Sequence, residues 1–313
     1  DELIEILPPT REAGEQLVEA GDFDKLIFTG STRTGRAIAR VLADRLIPSS
    51  LELSGCDSAI VLADANPELA ARVIVNAVRM NRGQTCMAPR RVIVDAAVRA
   101  EFVESLKRAV NSESESSDPA AGVVTPGEAG RVRSMIESHK TAGCEVLIDD
   151  TIAVLLDVEG DSELARGEWF APLLTIISAR NEEEAIAIHR QHEQHLTTSV
   201  FTTTPDRAKR IAVALTSSNI TINDCILPIA HPGVGIAGRG PSGWGITQGE
   251  SGLLSMTHEV VVSKTPGRFR IPPEPPSEEQ VSMLRRGMRY IYGNRSGRAG
   301  LTSVTRSNGN GSE

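Results

Sequence analysis

Residues 25–28 form a short apolar run, residues 30–35 form the turn Gly30-Ser31-Thr32-Arg33-Thr34-Gly35, and residues 51–53 form a second apolar run. That succession constrains the fold more than any other stretch. A strand ending in such a turn lets backbone approach an anion, and the helix that follows offers unpaired N–H groups. Ala37, Ile38, Val41 and Leu42 recur at helical spacing, so they should share the covered face of that helix. Upstream, Thr10 is a cap for a helix that Gly21 stops. This α-β-α-β order describes half of a doubly wound nucleotide-binding sheet, with residues 25–28 as a short buried strand. The opening strands of such a sheet are missing, so the chain is expected to begin inside a domain.

The alternation continues. Runs at 58–62, 91–94, 173–177, 198–201, 220–222 and 259–263 read as strands, and 144–148 as extended chain. Between them, 66–81 reads as a helix with Asn66 as cap and Pro67 in its first turn. Residues 97–110, 127–142, 182–191 and 205–215 also read as helices. The Ser/Glu-rich stretch 111–121 and the Gly/Pro-rich stretch 223–245 are expected to be loops. Prolines from Pro266 to Pro276 mark a linker, 277–292 an amphipathic basic helix, and 293–313 a disordered tail.

Composition narrows the function. With 313 residues the chain has room for two domains. Hydrophobic residues make up 40% but aromatics only 3%, so Ala, Val, Ile and Leu must build the core. A net charge of −8 argues against a nucleic-acid partner. No apolar run approaches the ~18 residues of a membrane helix. No secretory pattern opens the sequence. The cysteines Cys56, Cys86, Cys144 and Cys225 are scattered, which suits reduced thiols in a cytoplasm better than a disulfide framework.

Two residue types carry the chemistry. Cys86 follows Gly83-Gln84-Thr85; a thiolate is a strong nucleophile, and neighbouring positive charge lowers its pKa. Taken alone, Cys86 reads first as a small buried apolar residue, and only its Gly-Gln-x-Cys context reverses that. Glu52 closes an apolar run, at the strand end where α/β sheets place ligands. Its apolar neighbours Leu51 and Leu53 should raise its pKa toward that of a general base. Taken alone, it reads equally as a solvated carboxylate. His189, His192 and His195 recur every third residue, but nothing beside them supports a metal, and they read as a solvated helix face.

In this order, Gly30-Ser31-Thr32-x-x-Gly35, Glu52-Leu53-Ser54-Gly55, Gly83-Gln84-Thr85-Cys86, Glu168-Trp169-Phe170-Ala171-Pro172 and Ser242-Gly243-Trp244-Gly245 resemble the aldehyde dehydrogenase superfamily, over about residues 10–264. The resemblance implies an α/β fold: a partial Rossmann-type cofactor domain, an α/β catalytic domain and an oligomerisation strand. The boundaries expected are 1–53, 54–249 and 250–264, with 265–313 as linker, helix and tail. It implies Cys86 as nucleophile and Glu52 as general base in oxidation of an aldehyde to a carboxylic acid. Gly30, Ser31, Gly35, Leu53, Glu168 and Phe170 would hold NAD or NADP, with no metal. Asp224, Cys225 and Ile226 would line the aldehyde's path. The protein would be a cytoplasmic homo-oligomer, dimer or tetramer, free of membrane and nucleic acid. Ser54, Cys56 and Ala171 stand where the family has Gly, Lys and Gly, and Gly235-Ile236-Ala237-Gly238 where it has Pro-Phe-Gly-Gly. With half the cofactor fold absent, the isolated chain is expected to be inactive. The rival expectation is a truncated binding or structural subunit.

Overall fold

A computed structural model describes residues 3–110, 118–193, 196–226, 231–264 and 275–292. The chain divides into two units, 1–258 and 259–313. In the first, Thr10 Oγ1 accepts from Ala13 N and starts α1 (Arg11–Ala20), which ends at Gly21. Strand β1 (Leu26–Gly30) leads into α2 (Thr32–Asp44) and then into β2 (Ser49–Leu53), parallel to β1 in register Gly30↔Leu53. Strand β1 lies at a sheet edge and is only partly covered, not buried as expected. Ala37 is exposed as well, so Gly35 and Leu42 carry the buried face of α2.

A second, seven-stranded sheet follows. It is built from β3 (Asp57–Val61), β4 (Pro89–Asp95), β5 (Val146–Ile148), β6 (Ala153–Leu155), β7 (Leu173–Ala179), β8 (Thr197–Phe201) and β9 (Asn219–Ile222). The order is β5-β6-β7-β4-β3-β8-β9, parallel except at β5–β6. Helices α3 (Pro67–Arg79) and α4 (Arg99–Ala109) cover one face, with Ile74, Val78, Phe102 and Leu106 in the core between. Helices α5 (Pro126–Thr141), α6 (Glu163–Arg166), α7 (Glu182–Arg190) and α8 (Pro205–Ala212) complete this part, with Val132, Ala165, Ala185 and Ile211 in the second core. Burial on both faces explains the continuous apolar runs of β3, β4 and β8. Strand β6 and helix α6 are too short to leave a periodic signal and escape a sequence reading.

The expected loop 223–245 holds structure. Strand β10 (Ile236–Ala237) pairs antiparallel with β12 (Ile246–Thr247), and β11 (Gly243–Trp244) pairs antiparallel with β2. Helix α9 (Gly249–Leu254) follows. Gly243 has φ +107°, and a Cβ there would lie 1.8 Å from the Leu51 carbonyl oxygen, so only glycine lets this bridge close. In the expected loop 111–121, residues 111–117 lie outside the described residues, while Pro119 and Ala120 are buried in a 3-10 turn.

In the second unit, residues 259–263 form no strand: among the described residues none pairs with them, and Val260, Val261 and Val262 are exposed. A strand exists only where its N–H and C=O groups meet a partner. Helix α10 (Glu278–Tyr292) forms as expected. The linker residues 265–274 and the tail 293–313 lie outside the described residues.

Candidate active site

Cys86 sits between the end of α3 and the start of β4. Three consecutive left-handed residues, Asn81, Arg82 and Gly83, fold the chain back there. A Cβ on Gly83 would lie 2.1 Å from Ala171 O, so this turn presses directly on the 168–172 segment. Gln84 accepts from Val124 N (2.8 Å) and donates to Gly122 O (3.2 Å). The buried Arg90 guanidinium donates to Gly83 O (2.5 Å) and Thr85 O (2.8 Å), bracing the loop from below. Cys86 itself is half-buried and packs against Met87, Leu196 and Ile236.

Burial pushes the Cys86 thiol up; the negative charges of Asp57 and then Glu52 push the same way, and the N–H groups of Cys86 and Met87 oppose them. This corrects the simplest expectation for a nucleophilic cysteine, a thiol lowered by positive charge. Desolvation outweighs the nearby donors because the half-buried sulfur packs against apolar side chains. Cys56 and Cys225 are buried further and pushed up to about 11 and about 12.

Glu52 is half-buried in β2, in register with Thr29 of β1 and Gly243 of β11. Burial raises its carboxyl, and a hydrogen bond from Thr247 Oγ1 to Oε1 (2.8 Å) opposes the rise. Thr247 pairs with Ile236, and Ile236 belongs to the small apolar cluster that Cys86 packs against, so β12 links the surroundings of the two groups. The site lies between the C-terminal end of β2 and the N-terminal ends of β3, β4 and β8. Asp57 ties those ends together, its Oδ1 accepting from Leu196 N at 2.8 Å.

The other expected residues divide. Ser31 is exposed and caps α2, accepting from Thr34 N (3.2 Å). Gly30 faces the Phe28 ring and Gly35 the Leu53 side chain, where a Cβ would meet carbon at 2.5 Å and 2.4 Å. Leu53 is therefore buried as packing, and its side chain reaches no open surface. The first turn of α2 carries no acidic residue, so its N-terminus suits a phosphate. Glu168 Oε1 is buried without a hydrogen-bond partner, an acceptor that a ribose hydroxyl would satisfy. Phe170 is 48% exposed, with the Arg90 guanidinium 5.7 Å from its ring centre. On these observations the residues fit the phosphate and ribose of a dinucleotide.

Two expectations fail. Cys225 fills the core beneath α3 and α4, away from the cluster that holds Cys86, and Asp224 turns back to accept from Cys225 N (2.6 Å) and Ile226 N (3.2 Å). His189 is buried with Nδ1 3.3 Å from Ser58 Oγ, so the histidines do not form a solvated face; His195 lies outside the described residues. The sequence reading also missed Asp57, Arg90 and Thr247. The pair Arg90-Arg91 inside an apolar run was the available signal for the first two, since buried arginines need acceptors. Thr247 left no signal.

The model of the aldehyde dehydrogenase family matches residues 1–262. The chain is 29% identical over 267 residues to the dimeric NADP-preferring aldehyde dehydrogenase of Rattus norvegicus, covering 81% of this chain and 59% of that protein. It is 32% identical over 257 residues to the beta-apo-4'-carotenal oxygenase of Neurospora crassa, covering 78% and 48%. The solved NAD-dependent aldehyde dehydrogenase from Sinorhizobium meliloti superposes with a TM-score of 0.74 at 27% identity, covering 83% of this chain and 55% of that one. The NADP-dependent glyceraldehyde-3-phosphate dehydrogenase from Bacillus halodurans C-125, complexed with NADP, gives 0.70 at 30% identity, covering 79% and 53%. The chain spans roughly half to three fifths of the length of the curated relatives it matches.

Proposed function

The chain belongs to the aldehyde dehydrogenase family, and on that premise we propose that it carries the reacting half of an enzyme oxidising an aldehyde to a carboxylic acid. The observation that carries the reading is the geometry that joins Cys86 and Glu52: Glu52 Oε1 accepts from Thr247, and Ile236, the strand partner of Thr247, belongs to the apolar cluster that the half-buried Cys86 packs against. Cys86 Sγ adds to the aldehyde carbon and forms a thiohemiacetal, which becomes a thioester once hydride has left. NAD or NADP, when bound, supplies the hydride acceptor; complexes of the relatives with NADP or NAD+ support this. The α2 N-terminus with Ser31 would hold phosphate, Glu168 a ribose hydroxyl, and Phe170 would pack beside the nicotinamide. Glu52 takes a proton from water, the water oxygen adds to the thioester carbon, and the C–S bond breaks to return Cys86.

We also read the protein as a homo-oligomer, dimer or tetramer, of a reducing cytoplasm. The name of the rat relative and the exposed Val260, Val261 and Val262 support the first; four free thiols support the second. Among the described residues no helix is long and apolar enough to cross a membrane.

The test is absorbance at 340 nm when the reacting half, joined to a whole cofactor domain, meets an aldehyde with NAD or NADP. Wild type should turn over steadily, Cys86→Ser not at all. Glu52→Gln should give one burst followed by a steady state slower by about 10²–10⁴-fold. Unchanged turnover in Glu52→Gln would overturn the assignment.

A further inference from the structure

We propose that Thr247 is the positioning residue for Glu52: its hydroxyl holds one carboxylate oxygen and leaves the other to the water that opens the thioester. The proposal rests on the reading of Glu52 as base. Thr247 Oγ1 lies 2.8 Å from Glu52 Oε1 and 3.5 Å from Ile236 O. A hydroxyl has a single proton, and the shorter contact to an ionised group takes it. Among the described residues no hydrogen bond reaches Oε2.

The backbone around Thr247 is fixed. Strand β12 pairs Thr247 with Ile236, a member of the small apolar cluster that Cys86 packs against, so the surroundings of base and nucleophile are joined. Gln248 stands at φ 66°, ψ 166°, a conformation nearly confined to glycine, and Gly249 beside it has φ 61°. A Cβ on Gly252 would lie 2.9 Å from the Thr247 carbonyl carbon. Strain at a non-glycine residue persists only where its surroundings hold it. Here it sits one residue from the hydroxyl that aims Glu52.

The same hydroxyl serves both protonation states. With Glu52 ionised, Thr247 donates to it. Once Glu52 has taken the proton of water on Oε2, Oε1 becomes the carbonyl oxygen and still accepts from Thr247. The sheet neighbours of Glu52, Thr29 and Gly243, carry no charge. Arg33 and Arg36 of α2 are exposed to solvent. The negative charges of Asp57 and then Glu52 both act on the Cys86 thiol.

The test loads Cys86 with p-nitrophenyl acetate, which needs no cofactor, and follows loss of the acetyl group by intact-protein mass from acid to neutral pH. Thr247→Val keeps the shape and removes the donor, so the carboxyl should rise and the acid limb of the profile should move up by about one pH unit. Thr247→Ser should restore the wild-type limb. Thr247→Ala removes the donor in a smaller side chain and should repeat the Val result. A limb that stays in place in the Val and Ala proteins, or that Ser fails to restore, overturns the proposal. If Glu52→Gln deacylates like wild type, the reading of the base falls, and the proposal with it. If only the Thr247 variants behave like wild type, the base stands and the proposal alone falls.

Discussion

Burial and the carboxylates of Asp57 and Glu52 all raise the Cys86 thiol, so at neutral pH the nucleophile waits as a thiol and gains reactivity as pH rises. Asp57 is the more unusual of the two. It is buried, Oδ2 has no hydrogen-bond partner, and burial lifts its carboxyl from 3.8 to about 7 against the backbone donors of Thr197 and Leu196 and the charges of Arg90 and Arg91. A carboxyl raised on folding binds its proton more tightly in the native state. Its contribution is complete below the unfolded value near 4 and is lost as pH climbs through about 7. Asp57→Asn keeps an acceptor for Leu196 N and removes the titration. Chemical denaturation should therefore show wild type losing stability relative to Asp57→Asn between these pH values, by up to about 4 kcal/mol. Parallel pH profiles for the two proteins would show that Asp57 stays ionised throughout.

At the scale of elements, the turn that carries Cys86 depends on contact with the 168–172 segment. Gly83→Ala forces a side chain into φ +68° and against Ala171 O, which is backbone and has nowhere to go. We expect a loss of about 1–3 kcal/mol or more in thermal unfolding, with a larger loss of Cys86 acylation, because the loop must lift before the helix and strand do. Retained acylation with ordinary stability would mean the turn is not under this constraint. Caps such as Thr10, Asn66 and Pro67, and the apolar runs of β3, β4 and β8, made most elements of the large sheet legible in the sequence. Pairing was not legible where it joins distant chain. Nothing in Gly243-Trp244 announces a bridge to β2, and nothing in Thr247 announces a bond to Glu52 across 195 residues. The strand expected at 259–263 shows the converse: an apolar run alone does not supply the edge it must pair with.

Across the whole molecule, Glu52 comes from the small sheet and Cys86 from the turn that leads into the large one. We propose residues 1–53 as the end of a cofactor domain, 54–249 as a catalytic domain and 250–264 as an oligomerisation segment. The small sheet supports the first division with one amendment, since Gly243-Trp244 returns to it. For residues 265–313 we propose a dispensable extension: in α10, Met283, Leu284 and Met288 are exposed. Deleting 265–313 should shift the unfolding midpoint by less than about 2 °C, whereas a drop well beyond the ~2–4 °C that 1 kcal/mol is worth in a large domain would show that the extension supports the fold.

The account rests most heavily on one division of labour: Cys86 takes the acyl group and Glu52 releases it. Intact-protein mass spectrometry of Glu52→Gln after loading with p-nitrophenyl acetate tests this directly. The account predicts a single acetyl group, mapped to Cys86, that persists while the wild-type adduct clears about 10²–10⁴-fold faster. An adduct on Cys56, Cys144 or Cys225, or clearance at the wild-type rate, would contradict it.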